Sequence, residues 1–192
     1  LYDQKLSGEY RNVPASHFDR EPNPDIGSTL TEDQVADAPH EPSGKFQRFR
    51  HDPENGVSPR SVPGQKGGHF LASGNEHNKA GHISEDPDNR VAQVDRRNRK
   101  LASIREDLDE NGLNVTYGPG DADYGILAFG SQVGTVEEAL GRLNDDGQSV
   151  RALAVGELAP FPKEQVRAFI ESVDQVMVVE MNSTAQFRGL TQ

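Results

Sequence analysis

The chain has 192 residues, among them 31 acidic and 20 basic side chains, for a formal net charge of −11; the sequence pI is near 4.9. A surface so acidic, with no basic stripe to offset it locally, repels phosphate backbones and argues against nucleic-acid binding. Apolar runs such as Val176 to Val179 fall far short of the roughly 20 residues a membrane-spanning helix needs, and no segment is expected to enter a membrane.

Cysteine is absent from the sequence, which removes disulfides, thiolate nucleophiles and cysteine-held zinc or iron–sulfur sites from this chain. Arginine outnumbers lysine, and the mean hydropathy is −0.76. An acid-rich, lysine-poor surface suits solubility in concentrated salt and fits a halophilic cytoplasm; the alternative is charge serving plain solubility. The first residue is Leu rather than Met and no charged-then-apolar signal follows, which predicts a cytoplasmic, internal piece of a longer polypeptide.

Residues 1–57 read as an extended connecting arm. Nine of the twelve prolines lie within residues 1–87, clustered at 21–25 and 38–42 among others, and the apolar residues there keep no period, so this part is expected to wrap a neighbour rather than bury a core. Two brief helices are expected inside it, one within 1–14 and one starting at Thr31, whose hydroxyl precedes Glu32 and Asp33.

Residues 58–90 form a loop rich in glycine, histidine and acids. Gly64, Gly67, Gly68, Gly74 and Gly81 loosen the backbone, while His69, His77, His82 and Glu76, Glu85, Asp86 and Asp88 crowd around them. Such a stretch is shaped to lie against a partner or a domain face. Lys66, flanked by Gly64, Gly67 and Gly68, is either an interface cation that reaches a carboxylate or phosphate, or a solvated lysine. Glu76 with His69, His77 and His82 offers metal-competent groups, but their spacing matches no compact zinc motif, which favours hydrogen bonding at a surface or interface.

Residues 91–192 read as an α/β domain. Val91, Val94, Leu101, Ile104 and Leu108 place one apolar face on a long helix over 89–110, stopped by Asn111-Gly112 in a left-handed turn. Then follow a strand at 124–129, a helix with Val136, Ala139, Leu140 and Leu143 closed by Gly147, a strand at 150–155, a helix with Val166, Phe169, Ile170 and Val173, and a strand at 175–180. Strands and helices in alternation predict a three-layer α/β/α fold with a mostly parallel sheet and right-handed crossovers. Binding surfaces in such sheets lie at the carboxyl ends of strands, here Gly130-Ser131, Gly156-Glu157 and Glu180 to Asn182. The run from Gly130 to Thr135 either receives an anion at a helix start or simply caps that helix through Ser131 or Thr135.

In order along the chain, Pro63-Gly-Gln-Lys-Gly-Gly-His-Phe70, Gly74-Asn-Glu-His77, Gly81-His-Ile-Ser-Glu-Asp-Pro87 and Arg90 resemble the characteristic stretch of the alpha subunit of 2-oxoacid:ferredoxin oxidoreductases. Phe129-Gly-Ser131 with Gly134, Leu158-Ala-Pro-Phe-Pro162, and Val178-Val-Glu-Met-Asn182 with Gln186 are similar to that subunit's second, transketolase C-terminal-like domain, and residues 1–14 resemble the arm leaving its first domain. The family commonly has Gly-Gln where this sequence has Ala185-Gln186, which puts a close backbone approach there in doubt.

The resemblance implies an oxidoreductase complex that decarboxylates a 2-oxo acid with coenzyme A and passes electrons to ferredoxin. It implies a beta subunit as partner, with thiamine diphosphate, magnesium and an iron–sulfur cluster held mainly there. No catalytic residue, cofactor or metal is assigned to these 192 residues, which are expected to be inactive alone and to lack the domain's final strand. Lys66, Gly67, Gly68, Glu76, His77, His82, Gly130 and Ser131 are the candidate interface or coenzyme A contacts. The alternatives are a domain of another thiamine diphosphate enzyme, of transketolase or 2-oxoacid dehydrogenase type, and a non-catalytic anion-binding module.

Overall fold

The structure, a computed structural model, describes residues 4–10, 12–19, 27–50 and 54–192; the proline cluster at 21–25 lies outside them. The chain divides into two compact units, one of the stretches Leu1–Pro14 and Ile104–Gln192 and one of Ala15–Ser103. This division cuts across the boundaries expected after residues 57 and 90. The segment read as a wrapping arm has fully buried side chains of its own, Val35 and Phe46, and the loop that follows it buries Ala80.

The unit Ala15–Ser103 is held by loops stitched to one another more than by regular elements. The short helix α1 (Gln4–Gly8) precedes it, and α2 (Glu32–Asp37) opens where expected. There Thr31 Oγ1 accepts from Gln34 N while Gln34 Oε1 accepts from Thr31 N, a reciprocal cap that satisfies two otherwise orphaned donors. Beyond α2, Phe46 N donates to His69 O and Phe49 N to Lys79 O, both at 2.9 Å. These bonds give the proline-rich backbone the partners that a ladder would otherwise supply.

Helix α3 (Pro87–Asn111) starts two residues earlier than expected, with Pro87 in its first position and Asp86 Oδ1 accepting from Asn89 N at 2.8 Å. Its burial differs from the sequence reading. Within the unit Ala15–Ser103, Val91 is 61% and Leu101 44% exposed, while Gln93 is fully buried and Arg96 nearly so. Arg96 Nη1 donates to Ser58 Oγ at 3.0 Å and its guanidinium lies over the Phe49 ring. A polar, aromatic-backed wall has selected the polar side of the helix. Ile104, in the other unit, is also exposed. The expected left-handed stop is likewise corrected: Gly112 has no positive φ, and a Cβ there would lie 2.6 Å from Leu108 O, so the helix end needs glycine for space.

The other unit is a three-layer α/β/α fold around a four-stranded sheet of order β1-β3-β2-β4. Strands β2 (Tyr124–Phe129), β3 (Val150–Val155) and β4 (Gln175–Val179) are parallel, and β1 (Val115–Tyr117), unforeseen in the sequence, adds to β3 antiparallel. Ile126, Ala128, Val150 and Ala152 pack with Val136 and Leu140 of α4 (Gln132–Asp145), whereas Leu127, Leu153 and Val155 pack with Val166 and Phe169 of α5 (Lys163–Glu171) and with Phe187 of α6 (Gln186–Thr191). Alternate residues of β2 and β3 thus feed cores on opposite faces, the reason these strands are apolar without alternation. Gly147 closes α4 at φ +84°, as expected.

Ala185, just before α6, holds the left-handed conformation at φ 52° and ψ 48°. That conformation costs an L-residue about 1–2 kcal/mol and explains physically why a glycine is at home here; the demand is a backbone angle, and the question of close approach does not arise from it. Ala185→Gly is expected to raise stability by about 0.5–1 kcal/mol, the strain relieved less the extra chain entropy of glycine. The urea midpoint followed by circular dichroism checks this, and a lowered midpoint contradicts it.

Candidate functional site

The candidate residues of the loop 58–90 are largely engaged inside their own unit. Gly68 is buried, its carbonyl accepts from Ser61 Oγ at 2.6 Å, and a Cβ on it would come within 2.9 Å of Ser61 Cβ. Gly67 has φ +75°, and its carbonyl lies 3.1 Å from His40 Nε2. Lys66, just before them, is exposed. The glycines therefore turn the chain tightly and leave one cation at the tip of the turn.

Glu76, His77 and His82 are brought into one unit yet aimed at different partners. Glu76 accepts from both Arg97 amino groups, at 2.8 and 3.2 Å, and this hydrogen bonding holds its carboxyl below the ordinary range. His77 packs against Phe49 with ring centroids 4.2 Å apart and planes tilted by 59°, and its Nδ1 lies 2.9 Å from Asn75 O. His82 Nε2 lies 3.0 Å from Glu41 Oε2, whose carboxyl is lowered first by that bond. Among the described residues no group of three His, Cys, Asp or Glu side chains converges as a metal would need. The sequence reading missed Glu41 and Arg97, whose partners stand 41 and 21 positions away; no local spacing signals such pairs.

The second candidate region lies at the carboxyl ends of the parallel strands. Gly130, at φ +61°, ends β2, and its carbonyl accepts from Val133 N at 3.2 Å. Ser131 occupies the cap position of α4 in a helical conformation and makes no side-chain cap bond, and Thr135 lies inside the helix. Capping by these hydroxyls, expected from the sequence, does not occur, because Ser131 is already wound into the first turn.

After β3, Glu157 is almost fully buried and accepts from Arg105 Nη2 at 3.2 Å and Asn114 Nδ2 at 2.9 Å. Asn114 also reaches Gln165 Oε1, and its own Oδ1 accepts from Gly156 N. After β4, burial would raise the Glu180 carboxyl, but bonds from Phe187 N, Arg188 N and Asn182 outweigh it and hold the group below its usual range. Glu157 serves as a buried strut, and Glu180 accepts from the first turn of α6.

Residues 122–191 match the family described as pyruvate:ferredoxin oxidoreductase core domain II. The chain carries this domain. An alpha subunit of 2-oxoacid:ferredoxin oxidoreductase 2 from Aeropyrum pernix is 34% identical over 137 residues, 71% of this chain and 21% of that protein. The alpha subunit of 2-oxoacid:ferredoxin oxidoreductase 1 from Sulfurisphaera tokodaii is 33% identical over 141 residues, 73% and 22% of the two chains. Among solved structures, a 2-oxoglutarate:ferredoxin oxidoreductase from Magnetococcus marinus with 2-oxoglutarate, coenzyme A and succinyl-CoA bound superposes with a TM-score of 0.63 at 30% identity, over 79% of this chain and 26% of that one. The chain spans about a fifth of the length of the curated relatives it matches. Core domain II accounts for the three parallel strands and for α4, α5 and α6. Among the described residues no helix is long and apolar enough to cross a membrane.

Proposed function

We propose that this chain is part of the alpha subunit of a 2-oxoacid:ferredoxin oxidoreductase, supplying core domain II and the segment that leads into it, and that it supports subunit contacts while the chemistry occurs elsewhere. The observation that carries this reading is the extent of the structural match, 79% of the chain at 30% identity, which exceeds residues 122–191 and so takes in part of the loop-rich unit. The reaction would be oxidative decarboxylation of a 2-oxo acid to an acyl-CoA, with electrons passed to ferredoxin. Thiamine diphosphate, magnesium and the iron–sulfur cluster would be held mainly by a beta subunit. The chain itself does not fit the iron–sulfur cluster or the metal: it has no cysteine, and among its described residues no three His, Cys, Asp or Glu side chains converge.

The acidic composition is consistent with a salt-rich cytoplasm as the working environment. The test is reconstitution of the full-length alpha subunit with its beta subunit. Coenzyme A-dependent reduction of ferredoxin by a 2-oxo acid is expected from the complex and no turnover from the 192-residue chain; turnover by the chain alone, or none by the complex with any 2-oxo acid, overturns the proposal. Lys66→Ala in that complex is expected to weaken subunit association or raise the coenzyme A concentration needed for half-maximal rate, by about threefold to tenfold for the loss of one charge-assisted contact. If both quantities stay unchanged, Lys66 is a solvated tip.

A further inference from the structure

The cations of the unit Ala15–Ser103 are gathered. Arg48 and Arg60 line a cleft of about 660 Å3 whose other walls include Phe49, Phe70, Gly68 and the Val62–Gln65 turn. Arg48 Nη1 donates to Ser58 O at 2.9 Å and Arg96 Nη1 to Ser58 Oγ at 3.0 Å, and both guanidiniums lie near the Phe49 ring, 5.7 and 6.0 Å from its centroid. One serine and one aromatic ring thus hold two like charges together.

Among the described residues no carboxylate forms an ion pair with Arg48, Arg50, Arg60 or Arg96. Glu76, which favours the charge on Arg96, is itself held by Arg97. Arg60 Nε, Arg50 Nη1 and Arg96 Nε are buried without a hydrogen-bond partner, a costly state for a charged donor. Burial first, and then repulsion from Arg60 and Arg50, lowers the affinity of Arg48 for its proton; Lys100 is lowered by burial and then by Arg96, Arg48 and Arg97. In a chain of net charge −11, this concentration of cations around a cleft makes a local field that favours an anion.

We propose that the cleft binds a phosphate or diphosphate carried by a small organic molecule, with Arg48 and Arg60 holding the anion and Phe49 and Phe70 walling the organic part. Guanidinium forks match phosphate oxygens two at a time, and two adjacent guanidiniums suit a multiply charged group better than a single side-chain carboxylate. The volume falls within the several hundred Å3 usual for small-ligand sites, as does the mix of aromatic walls with a few convergent polar groups. The cleft would serve in the same way whichever enzyme houses the chain.

Calorimetric titration of the 192-residue chain with inorganic pyrophosphate, in about 0.15 M salt to screen non-specific attraction, tests the site. Saturable binding is expected, weakened about tenfold or more by Arg48→Ala and by Arg60→Ala, less by Arg60→Lys, which keeps charge but loses the fork, and not at all by Arg142→Ala. Arg142 pairs with Glu138 on α4 and serves as a remote control. Circular dichroism establishes that each variant folds; should an alanine variant not fold, Arg60→Lys and Arg48→Lys decide. Three results overturn the proposal: no saturable binding, affinity unchanged in the Arg60 variants, or a tetraglutamate peptide binding more tightly than pyrophosphate. The last would make the cleft a seat for an acidic protein segment.

Discussion

Gly81→Ala is expected to destabilise the unit Ala15–Ser103 by about 3–4 kcal/mol, a large share of a typical domain's stability. Two costs coincide at this position. The backbone is left-handed at φ +91°, and a Cβ would fall 1.9 Å from Leu71 O and 3.2 Å from the Phe49 ring. The obstacle is backbone, so no rotamer change relieves it; either the strand of chain at Leu71 or the turn at Gly81 must move. Gly64→Ala is the matched control. It has φ +95° and open space where its Cβ would sit, so it should lose only the conformational strain of about 1–2 kcal/mol. Because the chain contains no tryptophan, amide hydrogen exchange and circular dichroism are the readouts. Equal losses for the two variants would show that the close approach at Leu71 carries no energy.

Glu157→Ala is expected to cost the other unit about 2–3 kcal/mol. The carboxylate is nearly buried and receives Arg105 and Asn114, so truncation leaves a guanidinium and an amide short of an acceptor in a place water reaches poorly. The loss falls below the full cost of a broken buried pair because Arg105 is partly exposed and keeps Asp109 and the Pro160 carbonyl. Glu164→Ala removes an exposed carboxylate paired with Arg167 at 3.8 Å and is expected to change stability by less than about 0.5 kcal/mol. Urea midpoints for the three proteins check the order; an effect at Glu157 no larger than at Glu164 would remove the strut from the account.

Both predictions fall on residues whose type was visible in the sequence and whose role was not. Gly81 belonged to a glycine-rich loop, but only the fold shows that Gly81 meets a backbone oxygen while Gly64 meets nothing. Glu157 stood at the end of a foreseeable strand. Its partners Arg105 and Asn114 lie 52 and 43 positions away, beyond the reach of any periodicity.

Strands β2 and β3 and helices α4 and α5 were legible because burial on both faces of the sheet forces continuous apolar runs and a 3.6-residue stripe into the sequence itself; β4 shows the same apolar run although it is an edge strand with Met177 63% exposed. The cap of α2 was legible for a similar reason: Thr31 and Gln34 act within one turn. Strand β1 left no comparable trace. Its three residues are placed by pairing with β3, and Val115 is 48% exposed, so no apolar run was required of them.

What the sequence determined by itself was therefore the local and the periodic: the alternating α/β order, the helix start at Thr31, the stop at Gly147 and the exclusion of cysteine chemistry. Tertiary structure alone decided which side of α3 is buried, since Gln93 and Arg96 turn inward and Val91 and Leu101 outward. It also decided that Arg48 and Arg96 meet around Ser58 and Phe49 and that Arg60 lines the same cleft as Arg48. Helical periodicity fixes which residues share a face, but the free energy of burying that face depends on the atoms opposite it, and those arrive from distant parts of the chain.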